Sequence, residues 1–164
     1  MAIASGSGGR AVTSPSGLSG TEVAGLSSLW ALNGEWHLSR RIVHGDGSTA
    51  TLEGKAVFAR SGPRLIQDET GILTLDGSEL EATQRYVWER AGPLLQVYFS
   101  DMRPFHAIPL NVVAPEAVHL CAPDRYEVAY DFENWPLWRS VWRVEGPRKD
   151  YVMTTTYDQS GREP

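Results

Sequence analysis

Cysteine and positive charge are both scarce in this 164-residue chain. Its one cysteine, Cys121, excludes an internal disulfide framework, so nothing requires an oxidising compartment. Fifteen Lys and Arg against twenty Asp and Glu give a formal charge of -5 and a pI of about 5.3. Proteins bind nucleic acids and anionic membranes through clustered Lys and Arg side chains. The excess of acidic residues argues against such a surface. We therefore expect a cytoplasmic protein without nucleic-acid or membrane partners.

Long apolar runs and helical periodicity are also missing. No stretch is long enough to span a bilayer, and no window beyond Trp36 keeps a helical period. The first 28 residues are mostly Gly, Ser, Ala and Thr, without the charged start and apolar run of a secretory signal. We predict a flexible tail over 1–28, one β domain over 29–158, and a C-terminal tail over 159–164.

The body of the chain consists of strand-like runs separated by turn signals. Dipeptides such as Asp76-Gly77 and Gly146-Pro147 are typical of tight turns between antiparallel strands. Connections this short favour an up-and-down meander, and closing the meander into a barrel removes its exposed edges. We predict an all-β, closed antiparallel barrel, preceded by a short N-terminal helix carrying Leu26, Leu29 and Trp30. The predicted strands are 34–44, 51–60, 64–75, 79–90, 94–101, 105–114, 117–132, 137–145 and 149–158.

Two motifs at opposite ends of the body suggest how one end of the barrel is sealed. Gly34-Glu35-Trp36 opens the first predicted strand, and Arg148 lies in the turn that precedes the last predicted strand. Barrels of the lipocalin or calycin type use such a pair, with the guanidinium stacked on the indole. We predict that Trp36 and Arg148 form this structural seal. Eight to ten strands then surround a cavity for one small organic molecule.

Alternation along the strands indicates which side chains face that cavity. Trp142 belongs to a row of Trp138, Ser140 and Val144, and the aromatic rows are expected to point inward. Tyr86 and Trp88 share one face of an earlier strand. Because aromatic side chains line pockets for flat ligands, we predict ligand contacts at three positions: Tyr86, Trp88 and Trp142.

Asp101, Arg103 and His106 lie around one strand-to-strand corner and are the candidate catalytic residues. An Asp can orient an imidazole, and an Arg can hold an anion or a developing oxyanion, as acid-base work near neutral pH requires. The alternative is a structural corner in which Asp101 pairs with Arg103 and His106 is bonded to backbone.

A second cluster of candidate ligand-binding residues comprises His119, Cys121, Asp124 and Tyr126. His119 and Cys121 share a face, which leaves three alternatives open: a metal or haem half-site, a nucleophilic cysteine, or a small buried apolar side chain. The favoured prediction has no metal and no cofactor.

Lys149 and Tyr151 follow Arg148 in the last turn and complete the ligand-binding candidates. If they enter an apolar cavity, they can bind an anionic group, and burial would lower the pKa of the lysine. The alternative is a closing network without a ligand role.

Six segments together match a known pattern. They are Leu32-Asn33-Gly34-Glu35-Trp36 with Arg40, Gly54-Lys55-Ala56-Val57-Phe58, Tyr86-Val87-Trp88, Phe99 to His106, His119 to Tyr126, and Trp142 to Tyr151. On these segments the region from about Trp30 to Tyr157 resembles the domain-of-unknown-function 6314 family, whose members look like calycins. The resemblance implies a lipocalin-like barrel and supplies no reaction.

The chain departs from the pattern of that family at two places. The pattern usually has Gly where Met102 stands, and Tyr-x-Glu-x-Gly where this chain has Gln67 to Gly71. We expect the first departure to change the shape of the corner and the second to remove a polar group, so this member has a specialised ligand.

Three functions remain open. The favoured one is cofactor-independent acid-base catalysis on a small organic substrate, a cyclisation, isomerisation or addition, because a carrier of apolar ligands has little reason to bury charges. The second is a non-catalytic carrier or sensor, and the third a haem or metal protein. A homodimer is left open as well.

Overall fold

The computed structural model of the protein describes residues 25–159, which form ten antiparallel strands after one turn of 3-10 helix (Leu29–Leu32). The first five strands are β1 (Gly34–His44), β2 (Thr49–Ser61), β3 (Arg64–Leu75), β4 (Ser78–Ala91) and β5 (Leu94–Phe99). The second five are β6 (Pro104–Pro109), β7 (Glu116–Cys121), β8 (Asp124–Asp131), β9 (Trp138–Glu145) and β10 (Asp150–Asp158).

The strands form a nearly closed up-and-down barrel. Their order is β6-β5-β4-β3-β2-β1-β10-β9-β8-β7, so the first strand pairs with the last and the two edges are β6 and β7. Strand β6 begins at Pro104 and ends at Pro109, and proline has no N–H to give to a ladder. The predicted all-β meander is confirmed, although β6 and β7 form no ladder with each other.

The hairpins follow the turn residues of the sequence. Asp76 and Gly77, which join β3 to β4, both have positive φ, 51° and 76°. A two-residue turn with both φ values positive matches the twist of the flanking strands, and Gly and Asp accept it at little cost. Local chemistry thus sets the register in which Leu75 faces Ser78 and Gln67 faces Tyr86.

Three predicted elements differ from the structure, and the first is the strand expected over 105–114, which ends at Pro109. The single strand expected over 117–132 is two strands, because Ala122 and Pro123 form the turn between β7 and β8. The N-terminal helix is only the four-residue 3-10 turn. Its predicted start at residue 21 lies outside the described residues. The predicted tails also lie outside them, apart from residues 25–28 and 159. Gly25 has a φ of 85°, outside the helical range, so no helix continues through this residue into the turn.

The 3-10 turn covers one end of the barrel. Leu29 and Leu32 are buried, and the Trp36 indole N–H donates to the Leu32 carbonyl at 2.8 Å. The Trp36 ring is fully buried and packs edge-on to Trp138, with centroids 5.9 Å apart. This apolar plug leaves the opposite end of the barrel for access to the interior. Over residues 25–159 no helix has the length and apolar content to cross a membrane.

Candidate functional site

The interior holds a cavity that is lined mostly by aromatic side chains. It contains about 380 Å³ of empty space including its open mouth, of which 30 Å³ admits the centre of a water molecule. The strands contribute inward-facing residues by simple alternation. Its lining consists of Arg40, Gln67, Glu69, Tyr86, Trp88, Val97, Phe105, His106, Tyr130, Trp138, Ser140, Trp142, Met153 and Tyr157.

A buried ion pair lies at the centre of this lining. Arg40 Nη2 donates to Glu69 Oε2 at 2.8 Å, and the two side chains are 12% and 5% exposed. Arg40 Nε also donates to Thr155 Oγ1 at 2.8 Å. Burial acts to lower the pKa of Arg40, but Tyr157 and Glu69 raise it, and the net shift is upward. The guanidinium is therefore cationic at every working pH, with Glu69 as its counter-ion.

Hydrogen bonds extend the pair into a network across β3, β4 and β10. Glu69 Oε1 accepts from Gln67 Nε2 and from the Tyr157 hydroxyl, each at 2.9 Å. Gln67 Oε1 accepts from Trp88 Nε1 at 2.7 Å. Because each carboxylate oxygen and each amide group has a partner, the buried charge is satisfied as a burial this deep requires.

His106 lies on the opposite side of the cavity, on the edge strand β6. Its Nε2 atom is 2.8 Å from the Tyr130 hydroxyl, and both side chains are buried. Burial lowers the pKa of His106 to about 3, with His119 contributing to the same direction. The imidazole is consequently neutral at neutral pH.

Two buried polar atoms of the described residues have no hydrogen-bond partner, His106 Nδ1 and Trp138 Nε1. Both residues line the cavity, with exposed fractions of 6% and 2%. Buried polar groups in folded proteins are nearly always paired, so these two atoms are exceptions, and both belong to side chains that line the same cavity.

Flat ring faces make up the apolar walls. Phe105 stacks on Trp142 with centroids 4.8 Å apart and planes 13° from parallel. Trp138 stacks on Tyr157 at 3.8 Å and 8°. These stacks fix the orientations of the rings that line the cavity.

The three catalytic candidates do not come together. Asp101 Oδ2 accepts from Arg103 Nε at 2.6 Å, and the two side chains are 54% and 71% exposed at the corner between β5 and β6. His106 turns into the barrel and pairs with Tyr130 instead. The predicted grouping of Asp101, Arg103 and His106 is therefore wrong, and the alternative of a paired corner describes the first two.

The candidates near the last turn lie outside the cavity lining, towards its mouth. Lys149 Nζ donates to the Tyr126 hydroxyl at 2.6 Å and is 3.1 Å from Asp124 Oδ2. These two hydrogen bonds raise the pKa of Lys149, so the lowered pKa expected from burial is wrong. Tyr151 is half-buried nearby, and burial raises the pKa of its hydroxyl.

His119 and Cys121 share one face of β7 but differ in surroundings. His119 is half-buried against the rings of Phe105 and Tyr126, with centroids 5.3 and 5.8 Å away. Cys121 is exposed at the end of the strand, which overturns the alternative of a buried apolar cysteine. Among residues 25–159, no three His, Cys, Asp or Glu side chains are grouped to hold a metal ion.

Arg148 and Trp36 lie at opposite ends of the barrel. The pairing of β1 with β10 sets His37 against Asp158 and His44 against Tyr151, so the turn that holds Arg148 is a full strand length away from Trp36. Arg148 is exposed and Trp36 is fully buried. The predicted stacking of Arg148 on Trp36 is wrong, and the 3-10 turn provides the seal instead.

Sequence reasoning placed part of the lining correctly and missed its charged centre. Four candidate residues line the cavity: Tyr86, Trp88, His106 and Trp142. The catalytic role of His106 and the ligand contacts of the other three stay predictions. Arg40 and Glu69 were not among the candidates. The available signal was parity, since the row of Leu65, Gln67 and Glu69 in β3 alternates with outward residues.

Comparisons with known proteins place the fold and the family. The structure resembles the S-type phycobiliprotein lyase CPES from Guillardia theta, with a TM-score of 0.60, 6% identity, and coverage of 82% of this chain and 92% of that chain. A de novo designed fluorescence-activating β-barrel matches 82% of this chain and 99% of its own at 14% identity, with a TM-score of only 0.39. Comparison with curated protein sequences gives no match. Residues 32–159 match DUF6314, a family of unknown function, and the chain belongs to that family.

Proposed function

We propose that the barrel binds a small organic molecule with a flat, mostly apolar body in its interior cavity. The supporting observation is the lining itself, in which stacked rings such as Phe105 and Trp142 surround a compact polar network. Small-molecule sites are typically apolar and aromatic, with a few polar groups that fix orientation. The likeness to the phycobiliprotein lyase supports the fold, and the proposal of a small-molecule partner depends on the cavity.

The size of the cavity requires that the ligand displace side chains as it enters. Space of 30 Å³ for the centres of water molecules accommodates about two waters. Arg40, Tyr86 and Met153 are the members of the lining that are not fully buried, and they mark its side towards solvent. Methionine is unbranched and adapts its rotamer readily, so we infer that Met153 moves aside on entry.

Acid-base catalysis in the cavity stays a prediction with less support. A pKa of about 3 makes His106 a weak base at neutral pH. Its predicted catalytic partners, Asp101 and Arg103, lie on the exposed corner between β5 and β6. Binding without chemistry needs none of these groups to ionise. The carrier or sensor alternative is therefore the function that we propose.

A cavity-filling variant tests the proposal. Ser140 is a small, buried member of the lining, so Ser140→Phe is expected to fill the cavity, and its neighbour Arg139 points out of the barrel. We expect the wild type and Arg139→Phe to bind 1-indanone at one site, measured by calorimetry and tryptophan emission, and Ser140→Phe not to bind it. Met153→Trp, which fills the cavity from its solvent side, is the second blocking variant in case Ser140→Phe is unstable.

Binding by Ser140→Phe or Met153→Trp as tight as by the wild type would place the ligand outside the cavity. Absence of binding by the wild type of both 1-indanone and its hydrocarbon analogue indane, up to their solubilities, would also contradict the proposal.

A further inference from the structure

The two buried atoms without partners identify the class of ligand, an inference that depends on the proposed function. Trp138 Nε1 is an indole N–H, which can only donate a hydrogen bond. The role of His106 Nδ1 depends on which ring nitrogen carries the proton, and the contact with Tyr130 decides this.

The Tyr130 hydroxyl fixes the proton on Nδ1 of His106. Among the described residues its hydrogen-bond partner is His106 Nε2, at 2.8 Å. If Nε2 carried the proton and donated it, the buried Tyr130 proton and the Nδ1 lone pair would both be left without partners. If Tyr130 donates to Nε2, only the Nδ1 proton is left. Fewer unpaired buried groups cost less, so His106 Nδ1 is a donor.

Both donors belong to side chains that line the same cavity, and neither nitrogen is open to water there, so an occupant reaches them as it displaces side chains. The rings of His106 and Trp138 each lie near the Tyr130 ring, with centroid distances of 5.9 and 6.4 Å. A ligand that pairs both donors carries acceptors and needs no donor of its own at this side. Carbonyl oxygens are such acceptors, and each has two lone pairs.

The charge of the lining decides between a neutral carbonyl and a carboxylate. The buried cation, Arg40, is already neutralised by Glu69 at 2.8 Å, and two further donors occupy the other carboxylate oxygen. His106 is neutral. The described residues that line the cavity include no second cation for a buried carboxylate, so its desolvation would be uncompensated.

We propose that the cavity selects neutral, planar carbonyl compounds, whose oxygen accepts hydrogen bonds from Trp138 Nε1 and His106 Nδ1 while their rings lie against the aromatic walls. The polar network around Glu69 then positions Trp88 and neutralises the charge of Arg40. Selection between related molecules depends on two N–H groups that no atom of residues 25–159 satisfies.

Three probes of one skeleton test this selectivity: 1-indanone, indane, in which a methylene replaces the carbonyl, and indane-5-carboxylate. We expect 1-indanone to bind at least tenfold more tightly than either of the others, because indane leaves both donors unpaired. Isothermal calorimetry and NMR titration give the affinities.

Two tryptophan substitutions assign the preference to a residue. Trp138→Phe keeps an aromatic ring but removes the N–H, and we expect it to reduce the preference for 1-indanone over indane severalfold. Trp135→Phe makes the same chemical change outside the lining and is expected to keep the full preference. His106→Phe combined with Tyr130→Phe removes the second donor without stranding the hydroxyl, and it too is expected to reduce the preference.

The outcomes separate this inference from the proposed function. Equal binding of indane and 1-indanone inside the cavity would overturn the carbonyl assignment while leaving small-molecule binding intact. Tighter binding of the carboxylate would overturn the assignment of a neutral ligand. A preference that survives in both Trp138→Phe and the double variant would show that the donors do not select the ligand. Failure of all three probes to bind would overturn the proposed function, and the selectivity with it.

Discussion

Replacing Glu69 by glutamine tests whether the buried ion pair stabilises the centre of the barrel. The substitution keeps the size of the side chain but leaves the Arg40 guanidinium, 12% exposed, without its counter-ion. Removing one member of a buried pair costs about 3 to 5 kcal/mol, because a charge stays buried uncompensated. For a domain of this size the melting temperature falls by about 3 °C per kcal/mol, so we expect a loss of about 10 °C.

A double-mutant cycle and a surface control make the prediction specific. Arg40→Met in the Glu69→Gln background removes the unpaired charge, and we expect the double variant to regain at least about 2 kcal/mol. Asp68, the neighbour of Glu69 on the outer face, pairs with Arg85 at 2.7 Å with both side chains about half exposed. Asp68→Asn is expected to cost less than about 1 kcal/mol.

Urea unfolding followed by tryptophan emission and circular dichroism measures the unfolding free energies of the wild type, Glu69→Gln, Arg40→Met, the double variant and Asp68→Asn. If Glu69→Gln costs no more than Asp68→Asn, or if the costs of the two single changes simply add in the double variant, the buried pair does not have the role assigned to it.

Three further predictions concern stability. The folded-state pKa of His106, about 3, lies below its ordinary value of 6.5, so its contribution is complete above pH 6.5 and declines as the pH falls towards 3. Between pH 7 and 5 the wild type should lose about 2 kcal/mol more than His106→Phe in urea unfolding, and equal losses would contradict the burial. Trp36→Ala should lower the unfolding free energy by about 3 to 5 kcal/mol, and Arg148→Ala by less than about 0.5 kcal/mol. Similar losses in the two variants would instead support stacking of Arg148 on Trp36. Met102 has a φ of 67°, a conformation that strains a side-chain-bearing residue but not glycine, so Met102→Gly should raise the unfolding free energy by up to about 1 kcal/mol. A lower melting temperature of this variant would contradict the assigned backbone strain.

Local chemistry explains why the hairpins could be predicted from the sequence. Turns such as Asp76-Gly77 depend only on the residues in them, and their positive φ values of 51° and 76° are those that Asp and Gly accept most readily. Inward rows followed from alternation within a strand, as for Trp138, Ser140 and Trp142, which are all buried. Both signals act over a few residues, so they need no knowledge of the rest of the barrel.

The polar centre could not be predicted in the same way, because it depends on pairs far apart in the chain. Glu69 is stabilised by Arg40 and by Tyr157, 29 and 88 residues away. Nothing near Glu69 in the sequence shows that a cation meets it inside. The expected loss of a polar group at this part of β3 is wrong, because the Gln67 amide connects Trp88 to Glu69.

The corner between β5 and β6 misled the prediction for a different reason. A register shift at Val97 and Tyr98 interrupts the pairing, so alternation cannot be counted through it. His106 consequently faces the interior while Asp101 and Arg103 remain in solvent. Irregularities of this kind arise from the geometry of the closing barrel, which short sequence patterns do not encode.

The central claim is that a small molecule occupies the interior cavity and accepts a hydrogen bond from Trp138. The most direct measurement is a nitrogen-edited NMR spectrum of the six indole N–H groups during titration with 1-indanone. The account predicts a saturable downfield shift of the Trp138 N–H proton, with little change at Trp36, whose N–H is already bonded to Leu32, and at Trp30, which is exposed outside the barrel. An unchanged Trp138 signal, or shifts confined to Trp30, would contradict the claim.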